Sequence, residues 1–377
     1  MRGEDKHSAL DIVCVTTSAD LDRFIDFPNA LYHDDPAWIA PLATEQRSRF
    51  APDSSYSDHA RWRAWLALEE GRVVGRITAQ IDRLEPEPGL GYFGLLEAAT
   101  EPVLQRLLAT AADWLRDNGM QRVRGPLNLH MNEEVGLLVA GFETPPSVMM
   151  GHARPWYGAA LEAAGFVGAR DLLAYRVRPD FAAPRVMTRL ARHAASRVTV
   201  RRLRRRQLMR EADTLLAIFN DAWAGNWGFV PLNPVEWRHT VRSLSRLLPA
   251  DYIQIAEVDG EPAAFIVALP NINEAARDLG GRLLPVGWAK LLWRLKVRHP
   301  RSARVPLMGV TRAYQHSRLG PALAFMIIDA VRHPLHARGV TEVEMSWILE
   351  DNDGMRNIIE TIGGEAYKRY RVYEKDL

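Results

Sequence analysis

The sequence predicts an α/β fold built from two similar halves. Two observations carry this prediction. A β-hairpin signal occurs at 66–82 and again at 253–270, and each is followed by the same order of helical and strand-like segments. A length of 377 residues suits two domains that each have a core. We therefore expect an internal duplication, with domains at 1–180 and 201–377 and a connector at 181–200.

The hairpins are the clearest predicted elements. "LALEEGRVVGRITAQID" turns at Glu70-Gly71, and "IQIAEVDGEPAAFIVALP" turns at Asp259-Gly260. An acidic residue followed by glycine between two β-rich runs is a strong signal for a tight turn. Each hairpin therefore predicts two antiparallel strands.

Amphipathic segments follow both hairpins. "EPVLQRLLATAADWLRDNG" and "PALAFMIIDAVRHPLHARG" place apolar residues on one helical face, and strand-like "QRVRGPL" and "TEVEMSWI" come next. His333-Pro334 is expected to bend or shorten the second helix. Each half closes with a helix, a glycine-containing stop and a strand, in "YGAALEAAGFVGARDLLAYRV" and "MRNIIETIGGEAYKRYRVYEK".

Composition is that of an ordinary soluble protein, with 47% hydrophobic and 25% charged residues and a net charge of +2. The single cysteine, Cys14, excludes a disulfide framework and a thiolate metal cluster, and we expect no metal. No signal peptide or membrane-spanning run is evident, so a cytoplasmic protein is expected. "RRLRRR" (201–206) lacks interleaved aromatic residues, so no nucleic-acid partner is expected.

The segment "VPLMGVTRAYQHSRLGPAL" predicts an anion site. It reads as a strand, a short loop and a helix start, where free N–H groups and the helix dipole attract phosphate. Gly320 and Pro321 suit the helix start, but Arg318 stands where a second glycine would be expected. A positive φ at Arg318 would cost about 1 kcal/mol, which a bidentate contact with pyrophosphate can offset. The alternative is a capped helix that carries a solvated arginine.

The repeated order of elements resembles the GNAT superfamily of acyl-CoA-dependent N-acyltransferases in a tandem arrangement, over nearly the whole chain. This resemblance implies two GNAT-like domains, each a twisted mixed β-sheet (α+β) flanked by helices. It also implies a loop of the form Q/R-x-x-G-x-G/A for the pyrophosphate of acyl-CoA, the co-substrate. Gln315, Gly320 and Ala322 fall on that loop and its helix, Arg318 replaces the central glycine, and Asn352 matches a family asparagine after the fifth strand.

The two halves differ at the position of this loop. The corresponding turn of the first half has no glycine loop, and Glu97 and Glu101 would repel phosphate there. We therefore expect acyl-CoA only in the C-terminal half. Many relatives use a tyrosine to protonate the leaving thiolate. Ile359 occupies that position, so substrate positioning is expected to carry more of the rate.

Catalytic candidates come from three segments. The irregular stretch 125–146 contains Glu133 among other polar residues, and long irregular segments are often functional. His152 lies between an apolar run and an aromatic pair, and Glu236 is a candidate base or amine anchor. A surface loop and a satisfied, partly buried histidine are the alternatives for the first two. The other polar residues of the stretch are Asn128, His130, Asn132 and Glu134.

The stretch "NDAWAGNWGFVPLNPVEW" (220–237) follows the first helix of the second half. In the family resemblance, this loop forms a wall of the acceptor site, which makes Asn226, Trp227 and Phe229 candidate substrate contacts. Its aromatic density favours an apolar or lipid-like acceptor, although core packing explains aromatic residues equally well.

The insertion at 280–304 is the most distinctive segment. Within "RLLPVGWAKLLWRLKVRHPRSAR" (282–304), tryptophan and leucine lie opposite Lys290, Arg294 and Arg298. This pattern is typical of a helix that lies on an anionic membrane. A partner-binding helix and a helix packed on its own domain are the alternatives.

These observations predict an N-acyltransferase that moves a long-chain acyl group from acyl-CoA to an amine. The whole chain resembles tandem GNAT proteins of Gram-negative bacteria and bacterial ceramide synthases, which favours a sphingoid base as the acceptor. An acetyl-CoA-dependent small-amine acetyltransferase and a non-catalytic acyl-CoA sensor are the alternatives.

Overall fold

The structure is a computed structural model that describes residues 10–51, 55–131, 133–245 and 248–377. The chain divides into two units. Unit 1 contains the described residues up to Asp171 together with Asp278–Arg282 and Tyr370–Leu377; unit 2 contains Leu172–Arg277 and Leu283–Arg369. The predicted mixed α/β architecture is confirmed. The domain limits expected from the sequence stay a prediction.

Unit 1 contains a mixed sheet in the order β1-β2-β3-β4-β5, followed by the end of the C-terminal strand β13. Only the β4–β5 pair is parallel in this part of the sheet. The elements are β1 (Leu10–Cys14), α1 (Ser18–Leu31), α2 (Ala43–Arg49), β2 (Ala60–Glu69), β3 (Arg72–Asp82), β4 (Leu90–Ala98), α3 (Glu101–Asp117), β5 (Arg122–Gly125), β6 (Leu137–Ala140), α4 (Tyr157–Ala163) and β7 (Val167–Val177), which continues into unit 2.

The strands of unit 2 follow the order β7-β12-β11-β10-β9-β8, and among them only β11 and β12 run parallel. The elements are α5 (Arg185–Ala194), β8 (Val198–Arg202), α6 (Leu208–Trp223), α7 (Pro234–Ser245), β9 (Ile253–Val258), β10 (Glu261–Pro270), α8 (Ile272–Ala276), α9 (Gly287–Trp293), β11 (Ser302–Val310), α10 (Arg312–Gln315), α11 (Leu319–Ala337), β12 (Glu342–Leu349), α12 (Asp353–Thr361) and β13 (Glu365–Asp376).

Local sequence explains the turns between these elements. Both hairpins turn where predicted, with positive φ at Glu70, Gly71, Asp259 and Gly260. Two successive positive φ values match the twist of paired strands, which is why an acidic residue followed by glycine occurs there. Pro334 does not shorten α11, which continues to Ala337.

The core of unit 2 gathers around α11. Leu323 and Ile327 are fully buried and belong to one apolar cluster with Ala264 and Ile266 of β10. Burying a leucine or isoleucine side chain stabilises a fold by about 1.5–3 kcal/mol. This packing fixes the start of α11 beside the end of β11. No helix among the described residues is long and apolar enough to cross a membrane.

Candidate active site

The central feature of unit 2 is a fork between two strands. β11 and β12 pair in parallel from Ser302↔Glu342 to Val305↔Met345. Beyond that point β11 pairs with β10, ending at Val310↔Ala264, while β12 pairs with β7. The two strands therefore separate and leave backbone on both sides of a gap.

A cavity of about 1010 Å³ opens at this fork. Its walls come from both strands beyond the fork, from the end of α6, and from the first turns of α11 and α12. The lining is rich in apolar and aromatic side chains, which include Trp223, Met308, Phe325, Trp347 and Ile348. An apolar cavity with a few polar groups is typical of a small-molecule site.

Trp223 joins two walls of the cavity. Its indole N–H donates to the carbonyl of Met308 at 3.2 Å, which ties the end of α6 to β11. Its ring stacks on Phe219, with centroids 5.0 Å apart, and meets the edge of Trp347 at 5.5 Å. This aromatic wall is therefore both apolar and fixed in orientation.

The turn before α11 is held in place by Gln315. Its side-chain amide donates to the carbonyl of Ala222 at 2.8 Å and to that of Val310 at 2.9 Å. A Cβ atom on Gly320 would lie 2.6 Å from the carbonyl oxygen of Tyr314 and 2.8 Å from that of Gln315. Glycine is needed at 320 because the helix start lies against the preceding backbone. Gln315 and Gly320 both line the cavity.

Arg318 caps the start of α11 in a right-handed helical conformation, with φ −62° and ψ −18°. The cost of a positive φ, considered from the sequence, therefore does not apply. The Arg318 side chain is exposed, whereas Ala322 is buried inside α11. Neither residue is among the described residues that line the cavity.

Asn352 lies at the start of α12 and lines the cavity. Its side-chain oxygen accepts a hydrogen bond from the N–H of Met355 at 3.1 Å, as an N-cap does. Asn226 and Trp227 also line the cavity. The predicted cofactor and acceptor residues Gln315, Gly320, Asn352, Asn226 and Trp227 thus come together around one space.

The remaining predicted contacts lie elsewhere. Phe229 packs against Phe219 with centroids 5.8 Å apart, and Glu236 lies in the first turn of α7. Neither is among the described cavity-lining residues. Glu133 and His152 belong to unit 1, and Asn132 lies outside the described residues.

Two of the catalytic candidates are engaged in ion pairs within unit 1. Glu133 contacts the Arg49 guanidinium at 2.9 Å. His152, with a side chain only 1% exposed, holds a carboxylate oxygen of Asp35 at 2.9 Å. Burial opposes ionisation of Asp35, but hydrogen bonds from His152 and from the N–H of Ala37 outweigh it and lower the Asp35 pKa. Both side chains therefore have charged partners within unit 1, and their catalytic role stays a prediction.

A buried polar cluster lies at the fork. Arg304, Glu344 and Ser346 are each at most 3% exposed. The Arg304 guanidinium donates to the Ser346 hydroxyl at 2.8 Å and to the Ser346 carbonyl at 3.2 Å. The Ser346 hydroxyl and the Tyr367 hydroxyl each donate to one oxygen of the Glu344 carboxylate. Ser346 also lines the cavity, so the cluster connects a buried carboxylate to that space.

This cluster was not predicted from the sequence. Arg304 is separated by about 40 residues from its partners, and only the β11–β12 pairing brings them together. One pattern in the sequence could have indicated the cluster. Glu342, Glu344 and Ser346 alternate through the otherwise apolar strand "EVEMSWIL", which places three polar side chains on one face.

Comparisons with known proteins identify relatives of the whole chain. No family model matches the chain. The chain is 47% identical over 363 residues to "Protein YghO" of Escherichia coli K12, covering 95% of this chain and 93% of that protein. It is 44% identical over 381 residues to "Bacterial ceramide synthase" of Caulobacter vibrioides, covering 99% of each. Among solved structures, a tandem GNAT protein from the clavulanic acid biosynthesis pathway superposes with a TM-score of 0.57 at 13% identity, covering 98% of each chain.

Proposed function

Since the chain belongs to the tandem GNAT family of acyl-transferring enzymes, we propose that unit 2 transfers a long-chain acyl group from acyl-CoA to a sphingoid base. The observation that carries the proposal is the apolar cavity of about 1010 Å³ at the β11–β12 fork, with a helix start at its edge. A relative of similar length is named a ceramide synthase, and a ceramide is an N-acylated sphingoid base.

In this proposal the acyl-CoA occupies the cavity in two parts. Its pyrophosphate would lie at the first turn of α11, where Gln315, His316 and Gly320 line the cavity and the helix dipole favours an anion. Its acyl chain would lie among Met308, Phe325 and the other apolar lining residues. Arg318 is exposed at the same helix start and supplies a positive charge nearby.

The acceptor amine is cationic at neutral pH and must lose a proton before its lone pair can attack. In our proposal an N–H proton passes to the Ser346 hydroxyl while the hydroxyl proton passes to Glu344. The hydrogen bond between these two residues provides that path. The nitrogen then bonds to the thioester carbonyl carbon and the C–S bond breaks. The second N–H proton goes to the departing thiolate, giving free CoA and an amide.

Product analysis tests this assignment. Purified protein is incubated with acetyl-CoA or palmitoyl-CoA and with a sphingoid base or a short alkylamine, and amides are quantified by mass spectrometry. We expect N-palmitoyl sphingoid base as the main product. Acetylation of the short amine alone would overturn the lipid assignment, and tight CoA binding without any amide would indicate an acyl-CoA sensor.

We also propose that the segment 284–297 contacts an anionic membrane surface. Six of the ten exposed large apolar side chains among the described residues lie in these 14 positions: Leu284, Val286, Trp288, Leu292, Trp293 and Val297. Lys290 and Lys296 alternate with them, and Arg298 follows. Leu295 is buried, and Arg294 donates to the carbonyl of Ala275 at 2.7 Å, so one face anchors the segment to unit 2. Apolar side chains beside basic ones suit anionic lipid.

Liposome flotation tests this surface. The native chain should float with phosphatidylglycerol vesicles at low salt and less at high salt, because ionic screening weakens the attraction. Replacing Trp288, Trp293 and Leu284 together by serine should abolish flotation. Val235→Ser serves as the matched control, since Val235 is 68% exposed on α7. Equal flotation of the triple variant and the native chain would refute the surface.

A further inference from the structure

We propose that His59, Asp82 and His130 of unit 1 bind a divalent transition-metal ion of the zinc type. One ligand atom from each side chain lies within 4.8 Å of the other two. His59 Nδ1 and Asp82 Oδ1 are already 2.8 Å apart. Zinc ligands at about 2.0–2.2 Å from the metal are roughly 3.4 Å from one another. The hydrogen bond between His59 and Asp82 is shorter than that spacing, so a bound ion would displace its proton and separate the two atoms while His130 approaches.

The fold brings the three residues together from distant segments. His59 directly precedes β2 and Asp82 ends β3, where the hairpin pairs Ala60 with Asp82. His130 lies in the loop after β5, which is closed by the bridge between Leu127 and Val135. The cluster therefore lies between the open end of a hairpin and the tip of a loop.

Neighbouring groups hold the side chains in position. The Tyr56 ring meets the rings of His59 and His130 edge-on, at centroid distances of 5.4 and 5.9 Å. The Tyr56 hydroxyl donates to the carbonyl of Leu129 at 2.6 Å, which fixes the residue before His130. The N–H of Leu84 donates to the Asp82 carboxylate at 2.8 Å. Such outer contacts orient metal ligands and are typical of built sites.

The donor set selects the class of metal. Two imidazoles and one carboxylate suit zinc and its first-row neighbours better than Mg²⁺ or Ca²⁺, which prefer oxygen ligands. Three protein ligands leave a fourth position for water. The expectation of no metal followed from the single cysteine, Cys14, which excludes thiolate clusters but not a site of histidine and aspartate.

A bound ion would connect the hairpin to the loop. The same loop already contacts the sheet through Asn128, whose side-chain oxygen accepts from the N–H of Leu95 at 2.8 Å. Gln80 adds a second contact, since its amide donates to the carbonyl of Leu127 at 2.7 Å. The metal would add a further point of attachment at the loop tip. The proposal is independent of the acyl-transfer site in unit 2.

Metal titration of tag-free, chelator-treated protein tests the site. We expect one Zn²⁺ per chain, and Co²⁺ in its place should give the visible absorption of a four-coordinate ion. His130→Ala removes a ligand and should weaken binding by more than about 100-fold, the upper range for losing an outer contact. His33→Ala should leave it unchanged, because His33 is exposed in unit 1 and outside the cluster. Zn²⁺ should also slow hydrogen exchange of the loop amides at 127–135.

The same titrations have outcomes that would contradict the metal site. Absence of saturable binding of Zn²⁺ and Co²⁺ to the native chain would overturn the proposal. Equal affinity in the native chain and in His130→Ala would do so too. His130→Gln, which keeps a polar side chain, replaces the alanine variant if that variant does not fold. Binding of Fe²⁺ or Mn²⁺ in preference to Zn²⁺ would overturn the assignment to a zinc-type ion.

Discussion

Each unit contains a parallel strand pair, but the space beyond the end of that pair is filled in unit 1 and open in unit 2. In unit 1, β4 and β5 pair up to Tyr92↔Arg124. The chain after β5 then continues alongside β4, because the N–H of Leu127 donates to the carbonyl of Phe93 at 2.8 Å. In unit 2, β11 and β12 separate after Val305↔Met345 and leave a cavity of about 1010 Å³.

The difference shows that repeated secondary structure does not imply a repeated site. The path of the chain after the second parallel strand decides whether a cavity forms. In unit 1 that chain fills the fork, whereas in unit 2 β12 pairs with β7 and its other edge stays open. Repulsion of phosphate by Glu97, suggested by the sequence, is a weaker explanation for the difference between the units. Glu97 is buried and paired with Arg76 at 2.5 Å.

The largest expected effect comes from displacing the chain after β5, which fills the space beside β4 in unit 1. A Cβ atom on Gly94 would lie 1.8 Å from the carbonyl oxygen of Leu127. Gly94→Ala should therefore displace the loop and destabilise the protein by at least about 3 kcal/mol, measured by urea unfolding. Gly151→Ala is the control, since the nearest atom to its Cβ position is 3.8 Å away. Equal unfolding midpoints for both variants would show that the loop is not packed in the fork.

The second effect concerns the open fork. Ser346→Ala and Glu344→Gln should each lower turnover by about 100-fold or more, the usual contribution of a positioned proton-transfer group. Binding of acyl-CoA, followed by calorimetry, should persist. Ser48→Ala, an exposed serine of unit 1, is the control. A parallel loss of acyl-CoA binding and turnover would instead indicate that the buried cluster only maintains the shape of the cavity.

The third effect lies at the start of α11. Gly320→Ala forces the helix away from the carbonyls of Tyr314 and Gln315, which lie 2.6 and 2.8 Å from the added Cβ. We expect acyl-CoA affinity to fall by about tenfold, equivalent to 1.4 kcal/mol. Unchanged affinity would place the donor away from this turn.

The sequence predicted the repeated elements well because hairpin turns and helical faces are local signals. Glu70-Gly71 and Asp259-Gly260 carry their turn type in two residues. The fork and its polar cluster were beyond such reasoning, because Arg304 meets Ser346 only through strand pairing.

Pairing and burial also changed how individual candidates are understood. Gln315 and Gly320 lie at the predicted loop, but Gln315 binds two carbonyls and Gly320 allows close packing. Glu133 and His152 have the partners Arg49 and Asp35, which a sequence does not show, and their catalytic role stays a prediction. Tertiary pairing supplies that information.

The smallest expected effect distinguishes two charged residues of unit 2, the exposed Arg318 and the half-buried Glu236. Arg318 lies at the start of α11, beside the proposed pyrophosphate position, whereas Glu236 lies on α7 and does not line the cavity. Arg318→Ala should weaken acyl-CoA binding by about threefold to fivefold, because an exposed charge contributes at most about 1 kcal/mol. Glu236→Ala should leave that affinity unchanged in the same calorimetric assay. The reverse order would move the donor away from α11 and remove the reason to place it at the open fork.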